Sequence, residues 1–144
     1  MSIILPKKIL IGVDGSDASL KATAYAIKLA QLGQAEVVAL HVILLPAYAS
    51  QKTVDSLRKE LSARAEEVWE RIKKLPDSGD VKFEARVIET NRSVVQAIVD
   101  FALKSDVELI VLGTRGFAGV AKLMLGSVAA GVVNSAHCPV LVVR

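Results

Sequence analysis

Hydrophobic and polar positions along the chain alternate between the two periods that mark strands and helices. Ile9-Leu10-Ile11-Gly12-Val13 is a short apolar run closing on Asp14-Gly15-Ser16-Asp17, all turn or helix-capping residues, so a strand hands over to a helix there. Leu20, Ala24, Ile27 and Ala30 share one face of that helix, and Gly33 stands where a glycine stop is expected. Residues 37–43 form a nearly unbroken apolar run, the pattern of a strand covered on both faces. After a loop with Pro46 and Tyr48, the residues Val54, Leu57, Leu61, Ala65, Val68, Ile72 and Leu75 recur at spacings of three and four. They predict a long helix with Thr53 as its cap, Pro76 as its stop and Trp69 in or beside its apolar stripe. Val81, Phe83, Ala85 and Val87 alternate with charged residues, which predicts an edge strand with one face in solvent. Asn91 or Ser93 then caps a helix carrying Val95, Ile98, Val99 and Ala102, and Leu109-Ile110-Val111-Leu112 is a buried strand that stops at Gly113. A last helix begins near Ser127 and shows Ala129, Val132, Val133 and Ala136, and Pro139 introduces the strand Val140-Leu141-Val142-Val143.

Strict alternation of five strands and four helices, with right-handed crossovers, predicts an α/β fold with a doubly wound parallel sheet. No repeat, linker or low-complexity segment interrupts it, so residues 1–144 read as one domain. Composition agrees: hydrophobic residues make up 52% and aromatics only 4%, so aliphatic side chains must fill the core. Sheets of this kind bind ligands at the carboxyl ends of the strands, where the winding reverses. If the first strand lies centrally beside the fourth, Asp14 and Gly113 open into that one crevice.

The net charge of +3 is scattered among 15 acidic residues without a run of five like charges, which speaks for solubility and against a nucleic-acid footprint. The first eight residues carry their charge after the apolar positions and lack a cleavable small-residue site, so they do not read as a secretory signal. Residues 117–133 are weakly polar, but Lys122 interrupts them and they fall short of a membrane span. A single cysteine, Cys138, suits a reducing compartment, and the expectation is a cytoplasmic protein.

The chemistry concentrates in Gly113-Thr114-Arg115-Gly116 and in Gly126-Ser127-Val128. Glycines at 113 and 116 let backbone amides turn inward toward an anion, and Gly126-Ser127 repeats the device at the start of the last helix, where free amides and the helix dipole favour phosphate. Two such ends suit a polyphosphate. No lysine precedes Ser127, so this is not a Walker loop, and no dinucleotide glycine fingerprint follows the first strand.

Glycine, two residues, glycine, nine residues and then Gly-Ser resembles the ATP-binding signature of the universal stress protein family. The opening strand with its Asp14-Gly15-Ser16 turn, Leu40-His41-Val42, and the ending Cys138-Pro139-Val140-Leu141-Val142-Val143 extend the resemblance over nearly the whole chain. It implies strand order 3-2-1-4-5, a homodimer, and ATP or another adenine nucleotide in the crevice. On that resemblance Gly12, Val13, Asp14 and Val42 surround adenine and ribose, while residues 113–116 and 126–128 hold ribose and phosphates. The family often carries Gly-Asn-Pro or Gly-Asp-Pro after the third strand, where this chain has Thr90-Asn91-Arg92.

Single residues leave alternatives. Asp14 is either a turn acid or a contact to ribose or to Mg²⁺ held through phosphates. Ser127 is a helix cap, a phosphate ligand or both, and Arg115 points to a phosphate or to water. His41, inside an apolar strand with no matched nucleophile, reads as a core or interface histidine, and Cys138 as a buried cysteine. The terminal strand would leave a hydrophobic sheet edge that a second copy covers by pairing. The leading reading is a nucleotide-dependent sensor or accessory protein in the stress response, in which occupancy reshapes residues 117–125. The alternatives are a slow Mg²⁺-dependent ATPase, which lacks a Walker lysine, an arginine finger and an evident general base, and a structural dimer with no ligand.

Overall fold

The computed structural model describes residues 5–114 and 125–144. Five parallel strands form one sheet: β1 (Lys8–Gly12), β2 (Glu36–Leu44), β3 (Phe83–Thr90), β4 (Leu109–Gly113) and β5 (Val140–Val143), in the order β3-β2-β1-β4-β5. Helices α1 (Asp17–Gly33), α2 (Gln51–Lys73), α3 (Val94–Lys104) and α4 (Ser127–Ser135) connect them. Both the α/β class and the strand order are as expected. β1 pairs with β2 through Ile9↔Val37 and Ile11↔Ala39, and with β4 through Ile9↔Leu109 and Ile11↔Val111. It is therefore the central strand, and the winding reverses on either side of it.

Strand parity separates two cores. Ile9, Ile11, Val37, Ala39 and Val111 pack with Ala22, Ala26 and Ala30 of α1 and with Val68 and Ile72 of α2. Leu10, Val38, Leu40, Ile110 and Leu112 face the other way, onto Ile98 and Ala102 of α3 and Val132 of α4. Right-handed crossovers demand this division: helices joining strands laid to one side cover one face, and those joining strands laid to the other side cover the opposite face.

Several local expectations are corrected. The buried face of α1 centres on Ala22, Thr23, Ala26, Ile27 and Ala30, with Leu20 and Ala24 half-buried, and the helix ends in left-handed Gln34 (φ 55°) after Gly33. Thr23 is tolerated there because its hydroxyl donates to the Ser19 carbonyl at 2.7 Å. The cap of α2 is Ser50, whose Oγ accepts from the Thr53 amide at 3.2 Å; Thr53 already lies inside the helix. Ser93, not Asn91, caps α3.

The long periodic stripe of α2 is buried only at Ala65, Val68 and Ile72, while Val54, Leu57 and Leu61 stay half-buried. Only the second half of α2 buries side chains, and Ala85 and Val87 of β3, expected on a covered face, are exposed. Phe83 still packs on the α1/α2 side and Ile88 on the other. Among the described residues no helix is long and apolar enough to cross a membrane.

These two environments separate in a mutational test. Leu40→Ala should cost about 3 kcal/mol through the cavity it leaves at a fully buried site. Leu57→Ala should cost under about 1 kcal/mol because its side chain is already half in water. Denaturant titration of both variants checks the pair, and equal losses would mean that the first half of α2 is packed as tightly as the sheet.

Candidate functional site

The strand order puts the candidate crevice at the carboxyl ends of β1 and β4, where the winding reverses. β1 runs one residue beyond its regular pairing, with the Val13 amide donating to the Leu40 carbonyl at 2.9 Å, and the chain then turns. Gly15 is buried at φ 85°, a conformation that L side chains rarely adopt. One carboxylate oxygen of Asp14 accepts from the Ser16 amide at 2.8 Å, and the buried Ser16 Oγ accepts from the Ser19 amide at 3.2 Å, capping α1. Asp14 itself is exposed.

Across the crevice the Thr114 amide donates to the Val143 carbonyl at 3.1 Å, carrying the β4–β5 pairing one residue past Gly113. The Thr114 carbonyl then accepts from the Gly126 amide at 2.6 Å. This bond joins the two glycine turns, twelve residues apart in the chain, at one point. Gly126 is the N-cap of α4 and brings no side chain to cap it, so among the described residues the first turn offers amides and the positive end of its dipole at the end of β4. The exposed Ser127 is the first helical residue and not the cap, which corrects the capping reading.

The remaining candidates divide by face. Val42 and Val128 are half-buried against the α3/α4 core. Gly12 looks the same way, since a Cβ there would lie 2.8 Å from Leu112 Cδ2 and 3.5 Å from Ile98 Cδ1. Val13 is buried in the α1/α2 core, which leaves only its backbone for a ligand on the other face. Thr114 is buried, and Arg115, Gly116 and residues 117–124 lie outside the described residues. Gly113 has a reason independent of any ligand: a Cβ there would sit 2.7 Å from the carbonyl carbon and oxygen of Ala18. Among the described residues no group of three His, Cys, Asp or Glu side chains is placed to hold a metal ion.

Behind the turn stand three residues that the sequence does not place there. His41 Nδ1 lies 2.8 Å from the Val13 carbonyl, and its ring meets Trp69 edge-on at 6.4 Å between centroids. The Arg71 guanidinium donates to the Gly15 carbonyl and, at 3.1 Å, to Asp17 Oδ1. Strand parity puts His41 on the α2 face and so foreshadows its contact with that helix, but nothing in the chain connects Arg71 with a turn 56 residues away. Partial burial pushes the Cys138 thiol up, away from a reactive thiolate.

A shallow cleft of about 390 Å³ lies at the opposite end of the sheet, lined by Lys7, Gln31, Glu36, Asp80 and Lys82. Its polar groups satisfy one another: Glu36 pairs with Lys82 at 3.0 Å and with Lys8 at 3.6 Å, and Gln31 donates to Asp80 at 3.3 Å. The hydrogen bond from Lys82 holds the Glu36 carboxyl below its ordinary range. Location at the strands' amino ends and this self-pairing make it a surface ion-pair mesh, and the carboxyl-end crevice is the candidate site.

Fold and candidate site together define a doubly wound α/β protein in which a strand-end turn and a glycine-capped helix start meet at the carboxyl end of the sheet. The chain belongs to the universal stress protein family, whose model matches residues 6–144. A universal stress protein of Methanocaldococcus jannaschii is 40% identical over 97% of this chain and 83% of its own length. Universal stress protein UspA from Lactobacillus plantarum superposes with a TM-score of 0.86 at 27% identity, covering 99% of this chain and 100% of that one. A universal stress protein solved in complex with cAMP gives a TM-score of 0.71 at 26% identity, covering 97% and 98%.

The close approach at Gly113 yields a test without ligand. Gly113→Ala should destabilise the fold by about 2 kcal/mol or more, because the obstacle is helix backbone and not the end of a side chain. Gly12→Ala should cost less, since Leu112 Cδ2 can swing away. Thermal and denaturant midpoints of the two variants check the order.

Proposed function

We propose that this chain binds an adenine nucleotide, ATP foremost, between the β1–α1 turn and the start of α4, and that it acts as a nucleotide-dependent sensor or accessory protein in the stress response. The observation that carries the reading is the Gly126–Thr114 hydrogen bond. It brings a helix start capped by a glycine to the end of β4, next to the strand that leads into the Asp14 turn. Phosphates would meet the first amides of α4 and the Ser127 hydroxyl, together with residues 113–116, of which the Thr114 amide is already engaged by Val143. Adenine and ribose would lie over Gly12, Val42 and the Val13 backbone, beside Asp14. A relative of similar fold solved with cAMP supports an adenine ligand.

Asp14 offers a single carboxylate at the crevice, with one oxygen already engaged by Ser16. That fits Mg²⁺ reached through phosphates better than an all-protein cage, and Mg²⁺ when bound would neutralise phosphate charge there. A cradle of amides with one partly engaged acid suits holding ATP, and the slow ATPase reading requires turnover well above that of Asp14→Ala. Among the described residues β5 pairs with β4 alone, and we propose that its outer edge pairs with a second copy.

Two measurements on the purified full chain test the reading: identification of any small molecule released on heat denaturation, and calorimetric titration of ATP, AMP and cAMP with and without Mg²⁺. ATP should bind. Ser127→Val should weaken it at least about tenfold with an unchanged thermal midpoint, because the cap position is held by Gly126 and Ser127 is exposed. Neither released nucleotide nor binding heat from the wild-type chain would sink the proposal.

A further inference from the structure

We propose that His41 and Arg71 are positioning residues for nucleotide binding: from the α1/α2 face of the sheet they hold the turn of residues 13–17, and they couple its state to α2 and Trp69. The inference rests on the nucleotide reading above and adds to it a second, ligand-free side of the same turn.

The contacts alternate along the turn. The Val13 carbonyl faces His41, the Gly15 carbonyl faces Arg71 Nη1, and the Asp17 carboxylate faces Arg71 Nη2. Between them the Asp14 carboxylate and the Ser16 amide bond to each other. A carbonyl oxygen can only accept, so His41 Nδ1 carries a proton and donates to Val13. Trp69 then packs edge-on against that ring at an interplanar angle of 81°. Asp17 is fully exposed, so its ion pair contributes little, and the bond to the Gly15 carbonyl is the stronger constraint. Gly15 sits at φ 85°, a residue free to leave this geometry if its carbonyl is released. Asp14 therefore cannot be redirected without moving carbonyls that α2 and β2 hold from behind.

Trp69 is the sole tryptophan of the chain, so its emission reports this contact without interference. Four full-length variants make the test. His41→Leu removes the donor to Val13, and Arg71→Met keeps the aliphatic stem but removes the guanidinium. Arg71→Lys restores one charged donor. Arg58→Met removes a cation that, from the first half of α2, pairs with Glu89 at 2.8 Å, and serves as the control. Calorimetry with ATP, Trp69 emission with and without ATP, and amide hydrogen exchange over residues 13–20 are measured on each.

Expected are faster exchange at residues 13–20 in ligand-free His41→Leu and Arg71→Met, and ATP affinity weaker by about three- to thirtyfold. Arg71→Lys should recover part of both, Arg58→Met should match the wild-type chain in both, and ATP should shift Trp69 emission in the wild-type chain. Should His41→Leu fail to fold, Arg71→Met carries the test alone. A wild-type chain that binds ATP while folded Arg71→Met binds it equally, with unchanged exchange, overturns the positioning role and leaves the nucleotide reading standing. A wild-type chain that binds no ATP overturns both.

Discussion

At the end of β4 the sheet touches helix backbone directly: a methyl group on Gly113 would lie 2.7 Å from the Ala18 carbonyl, so β4 and the first turn of α1 meet with no side chain between them. Small residues along α1, with Ala22, Ala26 and Ala30 buried, let the whole helix lie close to the sheet. Because α1 starts directly from the β1 turn, this contact fixes that turn relative to the end of β4. The place where Thr114 leaves the sheet and the position at which Gly126 returns to it lie beside that fixed contact.

How much of this the chain discloses depends on the kind of signal. The apolar runs of β2 and β4 identify buried strands because both faces of a central strand are covered, and the alternating cores bear that out. Periodicity fails at α2 because it reports amphipathicity and not depth of burial: the stripe continues through Leu57 and Leu61 beyond the part of the helix that is fully buried. It misplaces the α1 face because alanine carries little hydropathy while doing the close packing. Caps are misread at Thr53 and Ser127 because a hydroxyl near a helix start looks alike whether it stands at the cap or just inside it.

At the site, the glycine turns and the Asp14 turn are visible as text, whereas what brings them together is not. The Thr114–Gly126 bond uses only backbone atoms, which no residue choice spells out. Arg71 is equally silent, since its partner at residue 15 is a carbonyl that any amino acid would supply. Gly113 shows the reverse error. Its glycine invites a reading as an anion cradle, and packing against Ala18 suffices to require it. Family membership rests on the chain as a whole, and no single glycine has to bear it.

Thr114 is tied through both of its backbone polar groups. Its amide is bonded to Val143 in the edge strand and its carbonyl to Gly126 at the foot of α4. In an assembly joined along β5, one residue would thus stand between the ligand crevice and the subunit boundary. Coupling across so short a path is reciprocal: any free energy by which nucleotide firms the edge strand for pairing returns, undiminished, as tighter nucleotide binding in the paired form. Protein concentration would then act on the affinity for nucleotide as directly as nucleotide acts on assembly.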